Sequence, residues 1–148
     1  MVEAVTITHL SKSFAGVKAV QDLSFTVGKG NLFAFLGVNG AGKSTTISMI
    51  CGKLRPDSGT ISVFGQDISE KRRTVASWLG VVFQNSLLDQ ELTVKDNLKY
   101  RAALYGLRGS GFAERYRAVT SSLSLDEIEH KPVKTLSGGQ RRRADIAR

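Results

Sequence analysis

Two glycine-bearing segments carry the residue types and spacing that could do chemistry. The first, Gly37-Val38-Asn39-Gly40-Ala41-Gly42-Lys43-Ser44-Thr45, fits G-x-x-x-x-G-K-[ST] and lies between an apolar run and a helical segment. Gly40 and Gly42 carry no side chains, so the loop can turn its amide N–H groups inward around a phosphate. A helix starting near Lys43 adds the positive end of its dipole. Lys43 supplies a point charge for the outer phosphates of a nucleotide, and the Ser44 hydroxyl is a ligand for Mg²⁺. The second segment is Leu136-Ser137-Gly138-Gly139-Gln140, followed by Arg141-Arg142-Arg143. Gly138 and Gly139 expose backbone donors where a helix begins, which makes a second anion site, and Ser137 is at the same time the cap of that helix.

The elements that must position these segments are legible as a strand-rich first half and a helical second half. Val5, Ile7 and His9 alternate with Thr6, Thr8 and Leu10, as in a strand, and further strands are expected over Val17–Val20 and Leu23–Val27. After the Gly28-Lys29-Gly30 turn, Leu32–Leu36 is a continuous apolar run, expected as a strand buried on both faces of a parallel sheet. Ser44 to Gly52 reads as a helix closed by Gly52, and Arg55–Gly59 as a turn into a strand over Thr60–Phe64. Leu79–Phe83 is a second buried apolar strand, ending at Gln84. Thr93-Val94-Lys95-Asp96 resembles a capping box with Asp in the acidic position, opening a helix to about Tyr105. Gly106 to Gly111 breaks it, and another helix covers about Phe112–Leu123.

Composition limits the function classes. The chain has 148 residues, enough for one ordinary domain, with 41% hydrophobic and 23% charged residues. The net charge of +8 suits an anionic partner, but only Lys71–Arg73 and Arg141–Arg143 are clustered, and such short runs read as solvated helix faces. Cys51 is the single cysteine, so an internal disulfide and zinc spacing are excluded; its neighbours Met49 and Ile50 make it a small core residue. No segment approaches the roughly 20 apolar residues of a membrane span, and MVEAVTITHL does not read as a signal peptide.

Taken in order, the loop and the Leu136–Gln140 segment resemble the ATP-binding cassette family, whose signature is LSGGQ followed by a basic helix. The resemblance covers the whole chain. It implies an α/β fold: a P-loop core with an N-terminal antiparallel β subdomain and an inserted helical subdomain. The expected boundaries are about 1–84 for the β subdomain and loop core, about 85–135 for the helical subdomain, and 136–148 for the signature and its helix. The implied cofactors are ATP and Mg²⁺. The implied ATP contacts are Gly37, Asn39, Gly40, Ala41, Gly42, Lys43, Ser44 and Thr45, with Phe14 where the family keeps an aromatic to stack on adenine. Ser137, Gly138, Gly139 and Gln140 are implied to close on ATP held by a second subunit in a head-to-tail dimer. Gln84 resembles the family's Q-loop glutamine, reaching Mg²⁺ or the attacking water.

Among family members, the bacterial drug-resistance exporters are closest in flavour, through the stretch from Gln84 to Asp89–Val94 and the Leu104–Leu107 helix end. That implies a membrane permease partner and a peripheral place on the cytoplasmic face of the membrane. The alternatives are a nucleic-acid-associated cassette protein of translation or repair, and a non-catalytic ATP-binding fragment. The family's acidic strand, catalytic Glu and switch histidine follow the signature, so they are expected beyond Arg148, and no catalytic residue of that set is assigned within the chain. Asp126-Glu127, His9 and His130 precede the signature and are excluded by order; Asp126-Glu127 is expected as a solvated turn or helix start. The chain alone is therefore expected to bind ATP without hydrolysing it.

Overall fold

The computed structural model describes residues 2–148, which divide into two compact units, the first running to Val81 and the second from Val82 to Arg148. In the first unit, β1 (Glu3–Phe14), β2 (Val17–Gly28), β3 (Ser58–Val63) and β4 (Gln66–Asp67) form an antiparallel sheet in the order β2-β1-β3-β4. The helices α1 (Lys43–Ile50) and α2 (Arg72–Trp78) belong to the same unit. Ile7, Leu10, Val20, Met49, Ile61, Val63, Ile68 and Val75 are its buried core. Fully burying an aliphatic side chain of this size is worth about 1.5–3 kcal/mol, so the sheet face and α1 stabilise each other through these contacts.

The alternation read from the sequence is interrupted inside β1. Ile7 and Leu10 are both buried, three residues apart, because the pairing shifts between them and His9 takes a positive φ of 50°. The bulge turns His9 out to solvent and Leu10 inward, so His9 does not share a face with Val5 and Ile7. Across the ladder Asp22 has φ 46°, and its carboxylate lies 2.6 Å from His9 Nδ1. Ser24 Oγ accepts from His9 N–H and Ser11 Oγ accepts from Asp22 N–H, so side chains satisfy the groups that the bulge removes from the ladder. As a result Val17–Val20 and Leu23–Val27 are one strand with an irregularity, rather than two.

The expected strands at Leu32–Leu36 and Leu79–Phe83 do not form. Both stretches lie outside any ladder, and Leu32, Phe33 and Leu36 are 102%, 47% and 86% exposed. A strand is made by its neighbours: an apolar run supplies the faces of a parallel strand, but its N–H and C=O groups need flanking strands to pair with. Among the described residues no strand pairs with either stretch. The P-loop class and antiparallel subdomain hold; these core strands are the correction.

The second unit is helical. α3 (Val94–Leu104) begins at Thr93, whose hydroxyl accepts from Asp96 N–H, so the Asp-bearing cap read from the sequence forms. α4 (Gly109–Ser122) starts earlier than expected and takes Gly109–Gly111 into its first turn. A 3₁₀ turn (Val133–Thr135) leads to α5 (Gly138–Ala147). Leu88, Val94, Leu98, Leu125, Ile128, Val133, Leu136 and Ala144 form this unit's own core. Asp126 and Glu127 are exposed in a turn. Among the described residues no helix is long and apolar enough to cross a membrane.

Candidate nucleotide-binding site

The loop Gly37–Gly42 is exposed over most of its length and ends as the N-cap of α1. Gly42 takes a left-handed conformation, φ 78° and ψ 4°, and its carbonyl accepts from both Thr46 N–H and the buried Thr46 hydroxyl. A Cβ at Gly42 would meet Ala19 O at 2.2 Å and Val20 Cγ2 at 2.9 Å, so β2 presses directly on the loop at this residue. Gly40 is also left-handed, φ 88°, but opens onto free space. The two glycines therefore serve different ends. Gly40 gives the turn and Gly42 gives the turn plus close packing on β2.

Lys43 folds back over the loop. Its Nζ donates to Gly37 O at 2.6 Å and Val38 O at 2.7 Å, which holds the ammonium at the mouth of the loop. The α1 N-terminus supplies unpaired N–H groups beside it, since no side chain caps this helix. One cation and several amides thus stand together at this helix start, with no acidic residue in the first turn. Ser44, at the second position of α1, is exposed and carries the hard oxygen that Mg²⁺ prefers; Thr45 is half-buried. The donor set thus fits a Mg-bound polyphosphate. Beside the loop, Lys18–Gln21, Leu23, Phe35, Gly40, Ala41 and Thr46 line a cavity of about 320 Å³. The contribution of β2 to this wall was not foreseen, and nothing in Lys18–Gln21 as a sequence signals it.

Phe14 ends β1 opposite Val17, where Ala15-Gly16 makes a two-residue hairpin turn. Phe14 is 48% exposed and has Lys12 Nζ 5.6 Å from its ring centroid. It is a surface aromatic rather than a core residue, so its face can take a stacking partner. Cys51 is half-buried, and burial pushes its thiol up, in keeping with an inert packing residue.

In the second unit Ser137 caps α5 in a reciprocal box: its hydroxyl accepts from Gln140 N–H at 3.3 Å, and its own N–H donates to Gln140 Oε1 at 2.9 Å. Gly138 and Gly139 follow as exposed first-turn residues with no room restricted around them. Ser137 to Gln140 are thus brought together at one helix end. Gln84 lies in an exposed bend of the same unit, between Phe83, whose carbonyl accepts from Arg142 Nη1, and Ser86, whose hydroxyl donates to Asp145. Elsewhere in this unit Tyr116 donates to Glu129, holding that carboxyl below the usual glutamate range; burial and the nearby carboxylate push the Tyr116 phenol well up.

Residues 20–148 match the profile of the ABC transporter family. The chain is 38% identical to the Nod factor export ATP-binding protein I of Sinorhizobium fredii over 144 residues, covering 97% of this chain and 42% of that protein. It is 39% identical to the daunorubicin/doxorubicin resistance ATP-binding protein DrrA of Streptomyces peucetius, covering 97% of this chain and 44% of that protein. The chain thus spans less than half the length of these curated relatives. Among solved structures, cbiO1 from Clostridium perfringens, part of the ABC transporter complex cbiONQ, superposes with a TM-score of 0.89 at 25% identity, over 99% of this chain and 61% of that one. The phosphate loop, the capped signature helix and these likenesses agree: the chain belongs to the ABC transporter family.

Proposed function

We propose that this chain is the ATP-binding part of a subunit that powers export across a membrane. The observation that carries the reading is Lys43 held at the mouth of a loop whose Gly40 and Gly42 are both left-handed, at the uncapped start of α1. On this reading the loop amides of Gly37–Lys43 hold the β-phosphate. Lys43 leaves the Gly37 and Val38 carbonyls for the β- and γ-phosphates, while Asn39, Ala41 and Thr45 complete the wall. Mg²⁺ would neutralise phosphate charge when bound, with the Ser44 hydroxyl as a ligand, and the family resemblance implies Gln84 as its other protein contact. Phe14 stacks on adenine. The Ser137–Gln140 helix end closes on the γ-phosphate of ATP held by a second, head-to-tail subunit, where Gly138 and Gly139 leave the amides open to an anion.

The exported class is suggested by relatives named for Nod factor export and for daunorubicin/doxorubicin resistance. The partner would be a membrane permease subunit or domain, with the ATPase peripheral on the cytoplasmic face. None of the relatives named above is described as acting on nucleic acid, so the scattered basic charge is not read as a nucleic-acid surface.

The test is calorimetric titration of MgATP into the wild-type chain and Lys43→Ala. A charge-assisted contact of this kind is worth roughly 1.5–3 kcal/mol, so the variant should bind about tenfold to more than a hundredfold more weakly. Equal affinity, with both proteins folded, would overturn the assignment.

A further inference from the structure

Asp145 is a carboxylate on α5, 7% exposed, that no step of the proposed function uses. Its Oδ1 accepts from the Ser86 hydroxyl at 3.0 Å and from Leu87 N–H at 3.4 Å. Ser86 Oγ in turn accepts from Leu88 N–H at 3.3 Å, and Leu88 is buried in the core of this unit. One turn earlier on the same helix, Arg142 Nη1 donates to Phe83 O at 2.5 Å. Two side chains three residues apart on α5 therefore grip the backbone on both sides of Gln84, which itself stays exposed between the anchors.

A bend gripped on both flanks loses most of the freedom that an exposed glutamine would otherwise have to give up on meeting a ligand. The helix that supplies the grip begins at Ser137–Gln140. We infer that Asp145 and Arg142 are positioning residues that fix the Gln84 bend to the signature helix, so that Gln84 and the Ser137–Gln140 anion site move as one body. This rests on the proposed role of Gln84 toward Mg²⁺. A carboxylate serves better here than a neutral apolar residue: Oδ1 takes two donors from one loop, and the negative charge strengthens both bonds. The Asp145 side chain also reaches the loop from beside Ala144, which is fully buried, so the anchor point is itself fixed by packing.

Amide hydrogen exchange and MgATP titration on the chain test this together, using wild type, Asp145→Ala, Asp145→Asn, Ser86→Ala and Gln84→Ala. Removing the acceptor should speed exchange at Leu87 and Leu88 by about tenfold or more in Asp145→Ala, and Ser86→Ala should speed Leu88. Asp145→Asn keeps an oxygen for both donors and should stay within about threefold of wild type. The Mg²⁺-dependent part of ATP affinity should fall in Asp145→Ala as it does in Gln84→Ala, and return in Asp145→Asn; a merely structural residue would not give that pattern. Should Asp145→Ala fail to fold, Ser86→Ala decides from the loop side, by the same two readouts. Unchanged exchange in the loop variants overturns the inference. So does a Gln84→Ala loss of Mg²⁺ dependence that the Asp145 and Ser86 variants do not share, in which case the reading of Gln84 stands. If Gln84→Ala is silent, the reading of Gln84 falls and the positioning role falls with it, whatever Lys43→Ala does.

Discussion

Gly42 and Gly40 offer a matched pair of perturbations, because both are left-handed and only one is crowded. Substituting alanine at Gly40 adds a Cβ in open space, so its cost is the left-handed conformation alone, roughly 1–2 kcal/mol. At Gly42 the same conformational cost applies, and the new Cβ also falls 2.2 Å from Ala19 O and 2.9 Å from Val20 Cγ2. The first contact is with backbone in a hydrogen-bonded strand, so the overlap is relieved only by moving β2 or the loop. Overpacking of this kind adds roughly 1–3 kcal/mol, bringing Gly42→Ala to about 2–5 kcal/mol. For a chain of this size each kcal/mol moves the melting temperature by roughly 2–4 °C. Thermal melts should therefore place Gly42→Ala well below Gly40→Ala, and MgATP titration should show the larger loss for Gly42→Ala, whose loop is displaced from the start of α1. Equal melting temperatures for the two variants would refute the claim that β2 fixes the loop at Gly42.

Replacing Phe14 with alanine should weaken ATP and GTP alike, by roughly 1–3 kcal/mol, since ring stacking tolerates different bases; unchanged affinities with a large loss of stability would show that the exposed ring has a packing role instead. Ser137→Ala removes one half of a reciprocal cap and should cost about 0.5–2 kcal/mol, read as a lower urea midpoint, with Ser137→Asp recovering most of it. Tyr116 holds Glu129 ionised below the usual glutamate range, so that contact adds stability above about pH 4.3 and loses it as pH falls through the lowered value. Tyr116→Phe should accordingly narrow the difference in urea midpoint between about pH 6 and about pH 3, and an unchanged difference would refute the coupling.

The local geometry of the loop was legible because glycines stand where the backbone turns left-handed, at Gly40 and Gly42, and Lys43 follows at the start of α1. The Ser137 cap was legible for the same kind of local reason, and so was the Asp96-bearing cap of α3. Turn and cap chemistry is decided within four residues, so a sequence window contains all of it. The bulge at His9 was not legible, because nothing in the alternation of Val5 to Leu10 says that Ser11 and Ser24 will replace ladder bonds there. The apolar runs at Leu32–Leu36 and Leu79–Phe83 misled for a deeper reason. Their composition reports burial on two faces, whereas a strand is made by ladder partners that are not part of the run. The β2 wall at Ala19 and Val20 and the Asp145 anchor on Ser86 are both long-range contacts, 59 positions apart in the latter case, and a single sequence carries no mark of them.

The central claim is that the loop from Gly37 to Thr45 holds the phosphates of ATP, and amide hydrogen exchange of the chain with and without saturating MgATP tests it most directly. The account predicts slowed exchange concentrated at the loop amides and the first turn of α1, and its absence in Lys43→Ala at the same nucleotide concentration. Slowed exchange confined to other segments, or none at a nucleotide concentration where calorimetry reports binding, would contradict it.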